Sequence, residues 1–336
     1  MTGNMREWVD TILKSETRIA IPIMTHTGIE LTGEKVINAV NSGYSHYQAI
    51  KAIYDTYPTG ASTMIMDLTV EAEAFGSNVN FYDNEVPVIS GRLVKDEESI
   101  DNLKIPSLTK GRLQKYIEAT HLAALNLRAK PVFAGCIGPF SLAGRLFGMT
   151  EIMTAMCTNP EIIEKLLRKI TDFLINYIMA FKEVGANGIL MAEPAAGLLN
   201  SEMCNIFSSV YVKEIVDKVQ DDNFLFILHN CGNTGHVTQS MVNTGAKGIH
   251  LGNKINILQA LKEIPSDILV LGNLDPVGLF KISTPEEVET ATIKLIEQAE
   301  GYKNFIISSG CDIPPGVHIE NIDAFFRALK YQNISV

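Results

Sequence analysis

The stretch FLFILHNCG, residues 224–232, opens with five apolar residues in unbroken succession and then turns abruptly polar at His229, Asn230 and Cys231. A strand with one wet face alternates apolar and polar residues, so an unbroken run indicates a strand buried on both faces. Seven further runs of the same kind space the chain: RIAIPIM (18–24), STMIMD (62–67), PVFAGC (131–136), GILMAE (188–193), KGIHL (247–251), ILVLGN (268–273) and FIISSG (305–310). Helical patterns separate them. The clearest covers 160–184, with Asn159 as N-cap, Pro160 in the first turn and Gly185 as the stop. Another begins after Ser283, where Thr284-Pro285-Glu286-Glu287 signals a helix start and Val288, Ala291, Leu295 and Ile296 supply its apolar face. Eight strands with intervening helices predict an α/β protein, a parallel (β/α)8 TIM barrel. A doubly wound open sheet is the competing arrangement.

On this reading residues 1–336 form a single barrel domain, with an N-terminal helix at about 4–15. Residues 71–108, rich in Asn, Asp and Pro and carrying NVNFYD (78–83) and VPVISG (86–91), interrupt the pattern after the second strand. A loop of that length in a compact domain is usually functional, so a hairpin or lid over the barrel mouth is expected there.

The composition, 46% hydrophobic and 20% charged over 336 residues, supports a large core. A net charge of −10 argues against nucleic acid, whose partners carry clustered basic surface. No apolar run approaches the roughly 18 residues that a membrane span needs. The first residues, MTGNMREWVDTILKSETR, lack the apolar centre of a signal peptide. Five cysteines in no disulfide-framework spacing suit a reducing cytoplasm, with Cys136, Cys157 and Cys204 expected as buried or half-buried thiols.

The chemistry gathers at strand ends, where barrels of this kind keep their active sites. His229 and Cys231 follow one strand, and Cys311, 80 residues beyond Cys231, follows the last in IISSGCDIPPG (306–316). One imidazole nitrogen and two sulfurs are a donor set for zinc, and three protein ligands leave a tetrahedral ion one position for substrate. Other polar residues occupy the same end. Glu193 reads as an acid/base group or a fourth metal contact, against a carboxylate that caps the next helix. Asp275 reads as catalytic or as the organiser of the turn Gly272–Pro276. His26, Asp67 and Asn273 are candidate mouth residues that hold a cofactor, and Asp312 neighbours Cys311. His236, His250 and His318 are expected to be structural, and Met149, Met153 and Met156 to be core. The turn Gly135–Phe140 before Ser141 is placed to aim a helix N-terminus at an anion.

At IMDLTVEAEAFG (65–76), GPFSLAGRLFG (138–148) and LGNLDP (271–276) the chain resembles the uroporphyrinogen decarboxylase superfamily over nearly its full length. The segment SGCDIPPG (309–316) resembles the branch of corrinoid-dependent methyltransferases. That resemblance implies zinc on His229, Cys231 and Cys311, a methylated corrinoid brought by a partner corrinoid protein as methyl donor, and coenzyme M as the small-thiol acceptor. Homocysteine and a folate are the alternative acceptors. A decarboxylase-like lyase is the alternative reaction, and a structural zinc clasp in a corrinoid-binding scaffold the non-enzymatic one. A porphyrinogen's carboxylates call for bidentate arginine partners, yet PIMTHTGIELTG (22–33) holds no arginine and none occurs between Arg18 and Arg92. The donor set itself suits thiol alkylation. A free thiol with a pKa near 8.5 is only a few per cent thiolate at pH 7, and full ionisation by a metal is worth about 2 kcal/mol there.

Overall fold

A computed structural model describes residues 3–330. Nine strands are present among them: β1 (Ser62–Thr63), β2 (Asn78–Asn80), β3 (Val88–Ser90), β4 (Val132–Ile137), β5 (Gly188–Ala192), β6 (Leu225–Asn230), β7 (Gly248–Leu251), β8 (Leu269–Leu274) and β9 (Phe305–Ser309). Seven of them form one curled parallel sheet in the order β1-β4-β5-β6-β7-β8-β9, which is chain order. Helices run between successive strands, as parallel pairing requires.

The first expected strand, 18–24, is reduced to a single parallel bridge, Ala20 to Ile307. Its backbone still spans the sheet edges: Ile21 N donates to Ile307 O at 3.0 Å, while Ala20 O accepts from Gly60 N at 2.7 Å. Pro22 has no N–H to extend the ladder, and the next donor, Ile23 N, goes to the Ser309 hydroxyl at 3.1 Å. The second expected strand, 62–67, shrinks to β1 for a related reason. Beyond Met64 the backbone donors are taken by side chains, Ile65 N by His46 Nε2 at 2.9 Å and Met66 N by Thr25 Oγ1 at 3.0 Å.

Two apolar layers result. The inner face of the sheet packs Phe133, Leu190, Leu225, Ile227, Leu269, Leu271 and Ile306 with Ile21 and Ile23. The amphipathic helix Met5–Lys14 closes that core with Met5, Trp8, Val9, Ile12 and Leu13, its first turn tied to the approach to β6 by Met5 N to Asp222 O at 2.7 Å. The outer face packs against the helices through Ile189, Met191, Phe226, Leu228 and their neighbours.

The long helix lies at Pro160–Glu183, although the Asn159 side chain makes no cap hydrogen bond. The helix after Ser283 spans Pro285–Gln298 with a full capping box between Thr284 and Glu287. Met156 is buried, and Met149 and Met153 pack against the same outer core. Residues 71–108 contain the antiparallel hairpin β2–β3 and the short helix Glu97–Asn102, and attach to the helix Pro139–Phe147 through Leu93 N and Val94 N donating to Leu146 O. No helix among the described residues is long and apolar enough to cross a membrane.

Candidate metal centre

Along β6 the side chains of Leu225 and Ile227 point into the inner core, so the period of two puts His229 on the same face, one step beyond the apolar layer. Cys231 follows at once, and Cys311 stands two residues past the end of β9. The ligating atoms of His229, Cys231 and Cys311 all lie within 4.8 Å of one another. His229 is 3% exposed and both cysteines are half-buried.

Two glycines make this approach possible. A Cβ at Gly252 would stand 2.6 Å from Cys231 Cα, and one at Gly310 would stand 2.5 Å from Asn253 N. The loop Gly252–Asn253 is thus wedged between the backbones that carry the two sulfurs. Asn273 holds that loop, its Nδ2 donating to Gly252 O and Ile255 O, both at 2.9 Å.

Electrostatics tie the two thiols together. The Cys231 thiol is lowered to about 7, first by the hydrogen bond from Cys311, with Lys254 assisting. The Cys311 thiol is pushed up by the same shared proton and then by burial. Asp312 accepts from Thr25 N at 2.9 Å, and burial raises its carboxyl to about 6. His229 Nδ1 lies 2.8 Å from His250 Nδ1, and His250 Nε2 lies 2.8 Å from Ser308 Oγ. His250 is satisfied, as the residues suggested, yet its partner is a candidate ligand. The signal was in the strand: Gly248 and His250 alternate with apolar residues in β7, and the register sets His250 beside His229.

The other strand-end residues have separate tasks. Glu193 is 2% exposed and lies on the opposite face of the sheet, because Ala192 is level with His229 and successive side chains alternate. Its Oε1 accepts from Phe140 N at 2.8 Å, Ser141 N at 3.1 Å and Ser208 Oγ at 3.1 Å. The group facing the helix start at Pro139 is therefore the protein's own carboxyl, and Gly138 admits it where a Cβ would stand 1.7 Å from Oε2. Burial raises that carboxyl to about 8. Of the two sequence readings of Glu193, these contacts match the carboxylate that caps the next helix, and its side chain stands on the face opposite His229.

Asp275 organises its turn, Oδ1 accepting from Val277 N at 2.9 Å and Gly278 N at 2.8 Å. Asp67 is closed off by an ion pair with Arg112, by the Tyr116 hydroxyl at 3.2 Å and by the Thr69 hydroxyl at 2.7 Å. Arg112 also meets Glu73 at 2.6 Å, so Asp67 belongs to a buried charge network and offers no free oxygen to a ligand. His26 is buried at the start of the helix Thr25–Thr32, next to the Thr25 amide that holds Asp312, and burial with nearby Lys281 lowers it to about 4, leaving it neutral. Cys136 and Cys204 are buried, whereas Cys157, expected inside, is exposed.

The donor set fits zinc. Sulfurs at the usual zinc–thiolate distance and tetrahedral angle sit about 3.8 Å apart, within the spacing that His229, Cys231 and Cys311 hold. With Nδ1 engaged by His250, Nε2 is the His229 nitrogen left for an ion. Two thiolates with an imidazole match zinc's borderline softness.

The sequence profile described as Uroporphyrinogen decarboxylase (URO-D) matches residues 10–331. The methylcobamide:CoM methyltransferase MtbA of Methanosarcina acetivorans is 31% identical over 272 residues, 79% of this chain and 78% of that protein. A uroporphyrinogen decarboxylase of Synechococcus sp. (strain CC9605) is 36% identical over 173 residues, 51% of this chain and 48% of its own. Among solved structures, a methyltransferase from Methanosarcina mazei superposes with a TM-score of 0.87 at 20% identity, over 98% of both chains, so the fold is shared. With the profile spanning nearly the whole chain, this protein belongs to the uroporphyrinogen decarboxylase family of enzymes.

Proposed function

We propose that this chain is a zinc-dependent methyltransferase that moves a methyl group from a methylated corrinoid, carried on a separate protein, to a small thiol, with coenzyme M the first candidate. The observation that carries the reading is the meeting of one imidazole and two thiols within 4.8 Å at the C-terminal end of the sheet. The relative named for methylcobamide and CoM supports the same donor and acceptor.

His229, Cys231 and Cys311 would hold the ion. Zinc, when bound, holds a thiol as its thiolate at neutral pH. Cys231 and Cys311, hydrogen-bonded to each other without the ion, would bind it as thiolates, giving up their thiol protons. Asp312, the neighbour of Cys311 and held by the Thr25 amide, would take the acceptor's proton. Neutral His26 lines the same end without adding charge. The acceptor sulfur's lone pair forms the S–C bond as the Co–C bond breaks, and that bond's electron pair stays on cobalt. The thioether leaves and the corrinoid departs as Co(I). Orienting the two reactants in line is where the protein lowers the barrier most.

The architecture we infer is a single (β/α)8 barrel. Residues 19–21 supply its eighth staves of backbone between β9 and the approach to β1, supported by the hydrogen bonds of Ile21 and Ala20. Residues 71–108 leave from the same end of the sheet as His229 and serve as a cover for the mouth.

Zinc content and thiol-dependent loss of methylcobalamin absorbance test the proposal. Stoichiometric zinc, a sulfur count by X-ray absorption that rises from two to three on adding coenzyme M, and demethylation lost in Cys311→Ala are expected. A zinc-free active enzyme, or unchanged turnover in Cys311→Ala, would overturn it. Homocysteine in place of coenzyme M ranks the acceptors.

A further inference from the structure

The hydroxyl of Ser308 has one hydrogen. Around its oxygen stand the carbonyls of Ile21 at 2.7 Å and Ser309 at 3.0 Å, and carbonyls only accept. The Ser308 hydrogen is therefore committed to one of them. The contact of 2.8 Å to His250 Nε2 must then be an N–H of His250 donating to Ser308 Oγ. A neutral imidazole carries a single ring hydrogen, which leaves His250 Nδ1 bare. Facing it at 2.8 Å is His229 Nδ1. Two bare nitrogens at that distance would oppose their lone pairs, so His229 Nδ1 carries its hydrogen and donates it. In the neutral ring, His229 Nε2 is then the bare nitrogen.

We infer that His250 and Ser308 are positioning residues that lock His229 in the Nδ1–H tautomer, so that Nε2 always faces the two sulfurs as a lone-pair donor. The chain of donors runs one way, from His229 through His250 and Ser308 to a backbone carbonyl. All three side chains are buried, with His250 and Ser308 at 0% exposure, so no water competes for these hydrogens. Such outer partners fix ring orientation and raise ligand basicity, and their loss typically costs roughly 10- to 100-fold in metal affinity. The consequence for zinc rests on the metal reading above. The tautomers themselves do not.

Two measurements separate these. In metal-free protein labelled with 15N-histidine, a two-bond 1H–15N correlation reads each tautomer directly, and the His250→Asn spectrum identifies the His250 signal. His250 as Nε2–H and His229 as Nδ1–H are expected; His229 as Nε2–H, or a ring averaging both forms, overturns the inference. Zinc affinity is then measured against a competing chelator. His250→Leu is expected to bind roughly 10- to 100-fold more weakly. His250→Asn, whose Oδ1 can accept from His229 where Nδ1 did, is expected to stay within a few-fold of wild type, with Ser308→Ala between them. If His250→Leu does not fold, Ser308→Ala against wild type decides the affinity arm. Equal affinity across the folded variants overturns the lock. Absence of zinc from wild-type protein would instead sink the metal reading and leave the tautomer assignment to the spectrum.

Discussion

Replacing Glu193 separates a structural carboxylate from a catalytic one. Its Oε1 takes two buried amides, Phe140 N and Ser141 N, and the Ser208 hydroxyl. Those amides belong to the first turn of the helix Pro139–Phe147, where no carbonyl of the helix can reach them. Glu193→Ala strands both, at about 1–3 kcal/mol each, for a total of roughly 2–6 kcal/mol. That is a large fraction of a typical folding stability of about 5–15 kcal/mol, and it should appear as a fall of several degrees in melting temperature. Glu193→Gln keeps an Oε1 in place for the same three donors. Because burial has already raised the carboxyl to about 8, the neutral form dominates near pH 7 and the amide imitates it. Its melting temperature should stay close to wild type, within the equivalent of about 1 kcal/mol. Activity discriminates further. A general base replaced by an amide typically loses about 10²–10⁴-fold in rate, whereas a cap on the far face of the sheet should leave kcat within a few-fold. A folded Glu193→Gln with wild-type melting and a hundredfold loss of kcat would refute the assignment of Glu193 to the outer face. The pH dependence has a definite sign. Between its ordinary value of 4.5 and about 8, the folded carboxyl holds a proton that the unfolded one has lost. The stability it contributes is therefore complete below about 4.5 and is lost as pH rises through about 8. Glu71, raised by burial to about 7, acts in the same direction. Melting curves of Glu193→Gln should fall less steeply over that window than those of wild type.

Three other outcomes follow from particular contacts. In zinc-loaded protein a thiol reagent should modify Cys157 rapidly and spare buried Cys136 and Cys204, while chelation should add Cys231 and Cys311 to the reactive set; equal reactivity with and without chelator would count against thiolate ligation. Gly252→Ala sets a Cβ 2.6 Å from Cys231 Cα, and overpacking of that kind costs about 1–3 kcal/mol, to be read as weakened zinc affinity by chelator competition. Arg112→Leu leaves Asp67 and Glu73 without their buried partner, which typically costs about 3–5 kcal/mol. Denaturant unfolding should show that loss, and the double variant Asp67→Leu/Arg112→Leu should recover part of it.

Most of the fold was legible because unbroken apolar runs leave few alternatives. Six of the eight predicted strands appear within about one residue of their expected ends, from PVFAGC to FIISSG. The two at the N-terminal side are shorter for reasons that propensity does not carry. Pro22 could be read from the sequence, but the decisions of Ile23, Ile65 and Met66 to donate to Ser309, His46 and Thr25 depend on partners far along the chain. The insertion was legible as a hairpin through its alternating pieces, and β2 and β3 fall within NVNFYD and VPVISG.

The convergence of His229, Cys231 and Cys311 was legible and the placing of the other strand-end residues less so, and the cause is the same pattern that disclosed the sheet. A strand apolar on both faces carries no contrast between them, so position at a strand end does not tell which way a side chain points. His229 and Glu193 illustrate the result: each directly follows or ends an apolar run, yet Leu225 and Ile227 lead one inward while Ile189 and Met191 lead the other outward. The phase comes only from register, where Ala192 pairs with His229 and Glu193 is displaced by one. Asn273 shows the other half of this logic. It shares the inward face with Leu269 and Leu271, and its Nδ2 is taken by the carbonyls of Gly252 and Ile255, so it supports the loop that packs against Cys231. In the sequence His250 reads as a satisfied structural histidine, and in the fold it is one, bonded on both ring nitrogens. What matters is the group that satisfies it, and for His250 that group is His229.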